Sequence, residues 1–347
     1  MTFRAEVRSF VAGHAPAWRP GARGPADERE AAAWREWTAA LFARGYVGAD
    51  WPVDHGGTPG HQPERDAVVA QELAAAQAPR PGGAGIVAAG ALLEFGTEAQ
   101  CRRYLPAIRS GADLWCVLFS EPEAGSDLAA LRTSAVPDGA GYRVTGHKVW
   151  TTNGQWADRG LLLARTGSGR HDGLSAFVVD LRAPGVRAVA LRTVTGEPDF
   201  AEVHLDGAPA EPLGGVGRGW AVATAVLVRE RALFAAAPVL RVLWERLRAR
   251  VGDDPGTHGE LGRLRAEVVA LGALEEEPTA DPAAVKLRAG ELRVRLAACA
   301  LDLAGPAGLD DEELVVGYLD SHAYTLGGGT SEILRTVIAR RGLGLPG

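Results

Sequence analysis

Lysine is almost missing from this chain: Lys148 and Lys286 are the only two in 347 residues, and arginine carries nearly all of the positive charge. That scarcity reads as genome composition bias and carries no functional meaning. The three cysteines, Cys101, Cys116 and Cys299, show no paired spacing, and their odd number excludes a disulfide framework. They read as small buried apolar residues. The eight histidines lack His-x-x-x-His or mixed Cys/His spacing, so no metal site is expected. No apolar stretch reaches the roughly 18 residues of a membrane span, and the start, Met1-Thr2-Phe3-Arg4-Ala5-Glu6, has no signal-type hydrophobic run. The expectation is a cytoplasmic protein that does not touch membranes. A formal charge of −6 disfavours a general nucleic-acid or membrane-surface binder, because a polyanion would need a local basic cluster.

What is present is a large apolar fraction, 46%, enough for a substantial core and two or three folding units. Residues 1 to about 110 read as helical, with good helix formers from Glu28 to Phe42 and Glu64 to Gln77, and Gly/Pro punctuation between them. Short β-type runs follow: Tyr142 to Thr151, Gly160 to Ala164, Ser175 to Leu181, Val186 to Thr193 and Phe200 to Leu205. Their near-regular spacing suggests a small barrel or sandwich. Helical patterning returns after Gly214-Gly215-Val216-Gly217-Arg218-Gly219, with breaks near Asp253 to Gly259 and Gly305 to Gly308. The predicted class is therefore α+β, in three parts: residues 1–112 helical, 113–212 β, and 213–347 a helical bundle. The glycine loop does not make a dinucleotide fingerprint, because Trp220 stands where the last glycine is needed, and it reads as a flexible entry to a helix.

The most informative stretch is Leu118-Phe119-Ser120-Glu121-Pro122-Glu123-Ala124-Gly125-Ser126-Asp127, followed by Trp150-Thr151-Thr152-Asn153-Gly154. A flavin ring needs donors at the edge where negative charge gathers on reduction, an aromatic wall, and N–H groups or hydroxyls for its pyrophosphate. Ser120, Ser126, Trp150 and Thr152 supply such groups. Taken singly, each also has a plain structural reading, a core tryptophan or a turn-capping hydroxyl.

These two segments, with Lys148-Val149, Asp50-Trp51-Pro52 and His55-Gly56-Gly57, Thr195-Gly196 with Phe200-Ala201-Glu202-Val203, and Gly328-Gly329-Thr330-Ser331-Glu332-Ile333, resemble the acyl-CoA dehydrogenases. The resemblance runs over nearly the whole chain. It implies an N-terminal helical domain, a middle β-domain and a C-terminal four-helix bundle, with FAD between the last two. It implies that Phe119 and Ser120 face the flavin's pyrimidine edge, that Ser126 meets the pyrophosphate or the thioester ligand, and that Trp150 walls the ring. In the same scheme Thr151 and Thr152 belong to the cofactor site, with Thr152 near N5, while Thr330 and Glu332 touch the cofactor from the far side and Gly329 lies against substrate.

The implied chemistry is removal of an α-proton from an acyl thioester by a carboxylate, with hydride transfer to the flavin. Many relatives carry that base directly before the Gly-Thr-Ser signature, where this chain has Gly328. A smaller set places it on the first long bundle helix before an arginine, which here selects Glu230 in Arg229-Glu230-Arg231. Val226, Glu230, Leu233, Ala237 and Leu240 share a 3.6-residue stripe, so the acid is expected to be desolvated and its pKa raised. The alternative is a structural glutamate paired with an arginine of a neighbouring helix. Arg248-Ala249-Arg250-Val251-Gly252 resembles the family's turn whose arginine reaches the partner subunit's FAD, although Val251 replaces a phenylalanine. Asp302 replaces a glutamine before Gly305-Pro306. Arg231 and Arg335 are candidates for the CoA phosphates.

The expected partners are an acyl-CoA or acyl-carrier thioester, an electron-transfer flavoprotein-type acceptor, and a second copy or related subunit, giving a homodimer, homotetramer or heterotetramer. Two other readings stand beside it: a catalytically silent subunit completing a partner's flavin site, and an oxidase or carrier-protein desaturase of biosynthesis.

Overall fold

The computed structural model describes residues 2–19, 22–234, 237–251 and 255–345. Five helices come first: α1 (Phe3–His14), α2 (Glu28–Ala43), α3 (Pro63–Ala75), α4 (Gly83–Phe95) and α5 (Glu98–Arg109). Their starts are written locally. Thr2 and Asp27 accept from backbone N–H groups of the first turns, Pro63 sits at the start of α3, and Thr97 with Gln100 forms a reciprocal capping box on α5.

Seven strands follow: β1 (Trp115–Leu118), β2 (Ser134–Asp138), β3 (Gly141–Thr152), β4 (Arg159–Arg165), β5 (Leu174–Asp180), β6 (Val186–Leu191) and β7 (Phe200–Leu213). The pairings β4–β2–β3–β7–β5–β4 close a ring, with β1 lying parallel to β4 and β6 added to β7. This is a small barrel. The ring holds its own apolar core, including Val144, Leu162, Phe177, Val179 and Val203.

Two strands escaped the sequence pattern, and a third proved longer. β1 has only four residues, and β2 contains Pro137, which argues against a strand when read alone. β7 runs on past Leu205 through Pro209 and Pro212, each paired to a neighbouring strand in the register.

The last part is helical: α6 (Gly219–Phe234), α7 (Ala237–Val251), α8 (His258–Glu276), α9 (Pro282–Ala304), α10 (Glu312–Ser321) and α11 (Ser331–Val337). Helices α6 to α9 pack as a bundle, and Leu240, Leu247, Leu264, Val268, Leu292 and Leu296 fill the space between α7, α8 and α9. Helix α6 turns its buried Val222, Ala223 and Val226 the other way, into the core that it shares with α4 and β5. That position puts α6 where the three parts meet.

Candidate active site

The segment Phe119-Ser120 leaves β1 and is fixed from beneath by β3. Lys148 Nζ donates to the Phe119 carbonyl at 3.0 Å and to Glu121 Oε1 at 2.9 Å, while Val149 N–H donates to the Ser120 carbonyl at 3.0 Å. Glu121 also accepts from the N–H groups of Arg132 (2.6 Å) and Thr133 (2.8 Å). Burial would raise the Glu121 pKa, but Lys148 and these donors hold it below the usual carboxylate range. Lys148 is fully buried, and burial pulls its pKa down to about 8 against the attraction of Glu121. The result is a rigid floor under Ser120.

Trp150 stands above that floor with φ +57°, in a register shift between Lys148 and Thr151. Its indole is 64% exposed and meets Phe200 edge-on at 6.0 Å. A tryptophan that served the core would be buried, and a bulky residue in the left-handed region is strained. Thr152, at the end of β3, is exposed beside it, and Ser126 is exposed in the Gly125–Asp127 loop. Thr151 departs from its expected role. Its side chain is 1% exposed and turns inward toward Gly154, so it offers a cofactor only backbone groups.

On the bundle side, Glu230 is half-buried on α6, and no ion pair joins it to a neighbouring arginine among the described residues. Burial raises its pKa, with Arg231 and Lys286 pulling the other way. The adjacent Gly328-Gly329 turn is gripped by two cations: Arg231 Nε donates to the Gly328 carbonyl at 3.1 Å, and Lys286 Nζ from α9 to the Gly329 carbonyl at 2.7 Å. Arg231, expected to meet substrate, is thus engaged with the turn. Both glycines have positive φ, +69° and +106°, which a side chain would adopt only under strain. Thr330 caps α11 by accepting from Ile333 N–H, Glu332 is exposed in its first turn, and Arg335 pairs with Glu291.

Lys148 and Lys286 are therefore more than a mark of composition. Both are buried, and each clamps a carbonyl in one of the two site turns, where a compact ammonium fits and the broad guanidinium does not. Their rarity in an arginine-rich chain was the available signal. Arg248 lies in the last turn of α7, with the helix continuing through Val251, so the resembled turn is helical up to that residue; Gly252 lies outside the described residues. Its neighbour Arg250 is paired within the chain, to Asp311 at 2.6 Å and Glu313 at 2.7 Å.

Strand register also assembles a cluster that sequence spacing could not show. His147 on β3 faces His204 on β7, with Glu202 Oε2 3.4 Å from His147 Nε2 and 3.5 Å from His204 Nε2. Glu202 and His204 share one face of β7 two residues apart, and cross-strand pairing adds His147 from β3.

Known proteins place this geometry in context. Residues 1–112, 116–208 and 217–343 match the N-terminal, middle and C-terminal domains of acyl-CoA dehydrogenase in turn. The chain is 36% identical to the acyl-CoA dehydrogenase IpdE1 of Mycolicibacterium smegmatis, covering 99% of this chain and 97% of that one. It is 38% identical to the acyl-CoA dehydrogenase FadE34 of Mycobacterium tuberculosis over 88% of this chain, but spans only 46% of FadE34's length. Among solved structures, the Tcur3481-Tcur3483 steroid ACAD superposes with a TM-score of 0.88 at 30% identity, covering 99% of this chain and 96% of that one. The ChsE4-ChsE5 complex from Mycobacterium tuberculosis gives 0.85 at 28%, covering 99% and 97%. Three domain matches in the same order and 36% identity over nearly the whole length of IpdE1 lead to one conclusion: the chain belongs to the acyl-CoA dehydrogenase family of oxidoreductases.

Proposed function

We propose that this chain desaturates an acyl-CoA or related thioester between its α and β carbons, using FAD and Glu230 as the base. The observation that carries the reading is the setting of Glu230: a half-buried carboxylate with a raised pKa, beside a Gly328-Gly329 turn that has no acid of its own. A raised pKa makes it a stronger base toward a carbon acid.

The residues present fit a flavin. An exposed indole, an exposed hydroxyl at Thr152 and a rigid turn at Phe119-Ser120 match an aromatic ring with a polar edge. Trp150 would hold the ring face, Thr152 and the Ser120 segment its polar edge, and Ser126 and Thr330 its outer groups. When bound, FAD supplies the acceptor for the hydride that leaves the β carbon. Glu230 takes the α-proton, and Lys286 and Arg231 hold the turn beside it so that the carboxylate keeps its place. The electrons then pass to a flavoprotein acceptor of the electron-transfer type.

Glu230→Gln tests the base. The flavin-loaded variant should retain its absorbance but lose flavin bleaching by acyl-CoA, and lose exchange of the α-proton with deuterated water. Normal exchange in the variant would sink the assignment.

Assembly with a second, related subunit is part of the same proposal. It is supported by two solved relatives that pair two different chains, Tcur3481-Tcur3483 and the ChsE4-ChsE5 complex. Flavin content of the chain expressed alone and together with a neighbouring paralogue separates a self-sufficient enzyme from one that shares its site.

A further inference from the structure

Three arginines, two from the N-terminal part and one from the C-terminal bundle, converge on Tyr324, in the short turn His322–Thr325 that leads into the Gly328-Gly329 loop. Arg293 of α9 lies with Cζ 3.8 Å from the Tyr324 ring centroid, and Arg23 of the N-terminal loop at 4.7 Å. Arg80, just before α4, is within electrostatic reach of both and of the phenol.

Of these, Arg23 is compensated: it forms a 2.7 Å pair with Asp320, and its N–H donates to Asp199. Arg80 and Arg293 have no ion pair among the described residues. Arg80 is exposed, and desolvation with the neighbouring Arg293 and Arg23 lowers its pKa while Tyr324 and Asp320 pull it the other way. The phenol of Tyr324 reports the same field, since burial alone would raise its pKa and the arginines bring it down. With no carboxylate paired to either among the described residues, Arg80 and Arg293 present guanidinium donors that an incoming anion can use.

Position identifies that anion. Arg293 follows Lys286 by seven residues on α9, about 10 Å along the helix axis. Between them Gly290 has no room for a side chain, because a Cβ would come within 2.6 Å of the Tyr324 carbonyl, so this stripe of α9 faces the Tyr324 turn. On the other side, Arg23 Cζ lies 5.9 Å from the Phe200 ring, which touches Trp150. Arg23 thus spans from the proposed flavin wall to the Tyr324 turn, and Arg293 faces that turn about two helical turns along α9 from Lys286, the cation that acts on Glu230. The CoA phosphates hang on the longer pantetheine arm.

We propose that Arg80 and Arg293, with Arg23 and Tyr324 behind them, bind a carboxylate at the far end of the acyl group, making the substrate an ω-carboxyacyl thioester. The proposal deepens the desaturase reading and rests on it for the direction of the acyl chain. It is tested by binding, which needs no turnover.

Purified full-length protein is titrated with suberyl-CoA and with its uncharged ω-methyl ester. The wild type should prefer the free carboxylate by ~10-fold or more, the size of one or two charge-assisted hydrogen bonds. Arg80→Met and Arg293→Met should erase the preference by weakening only suberyl-CoA, while Arg293→Lys should retain part of it. The same preference is expected with suberyl-pantetheine, which lacks the CoA phosphates. Equal binding of acid and ester by the wild type overturns the proposal without any variant. So does a preference that survives both substitutions, or one that vanishes with the pantetheine pair, which would assign the arginines to phosphate. Glu230→Gln should keep the preference while losing desaturation; intact preference in a chain that never bleaches flavin would sink the desaturase reading and leave this one standing.

Discussion

Lys286 Nζ lies 2.7 Å from the Gly329 carbonyl, tying the long helix α9 to the turn beside Glu230. The same ammonium also draws the Glu230 pKa downward, against burial. Lys286→Met should therefore act twice. Loss of the donor leaves a half-buried carbonyl without its ammonium partner and should lower stability by ~1 kcal/mol. Loss of the cation should let the Glu230 pKa climb further. Because the base works only when ionised, the rising limb of the kcat profile moves to higher pH. Thermal melting and a pH–rate profile read the two effects separately; a stability loss with an unmoved limb would make Lys286 purely structural.

The buried pair of Lys148 and Glu121 holds the Phe119-Ser120 floor. Lys148→Met strands a buried carboxylate and should cost ~3–5 kcal/mol. Adding Glu121→Gln should recover part of that loss, because the second change removes the stranded charge. Urea unfolding of the single and double variants measures the coupling, expected at ~1 kcal/mol or more. Strict additivity would mean that the two side chains act independently.

Trp150 makes the opposite prediction. Its indole is exposed and its backbone left-handed, so Trp150→Gly relieves strain of ~1–2 kcal/mol and removes little packing. The melting temperature should hold or rise while flavin retained through gel filtration falls. A large loss of stability would return Trp150 to a structural role.

Gly328→Glu places a carboxylate where many relatives carry their base. With φ at +69° the substitution should destabilise by ~1–2 kcal/mol. In a Glu230→Gln background it should not restore turnover, since Arg231 already occupies this turn through the Gly328 carbonyl. A steady-state assay of the double variant decides.

Much of this was legible in the chain. Alternating and continuous apolar runs located β3 to β6, and the change of texture near residue 115 separated helices from sheet. The stripe through Val226 and Glu230 pointed to an acid whose surroundings raise its pKa, and burial on α6 does push that pKa up. What escaped was whatever depends on contacts distant in sequence. Lys286 reaches Gly329 across 43 residues, His147 meets His204 through strand register, and Arg23, Arg80 and Arg293 share a phenol only because the N-terminal part and the bundle close on it. Local pattern has no access to such meetings. The inward turn of the Thr151 side chain escaped for a different reason. Side chains alternate along a strand, and the bulge at Trp150 decides which of two adjacent threonines faces out.

The loop at Arg23-Gly24 joins all three parts of the molecule at once. Its guanidinium is bound to Asp320, its amide to Asp199 and its carbonyl to the Asn153 side chain, and Gly24 leaves no space for a Cβ against that amide group. Residues far ahead of any chemistry thus act as a keystone. Shortening the chain past this point, or grafting a fusion onto it, would loosen the strand that presents Trp150 and the turn that presents Tyr324 together, so an intact beginning is a condition for an intact centre.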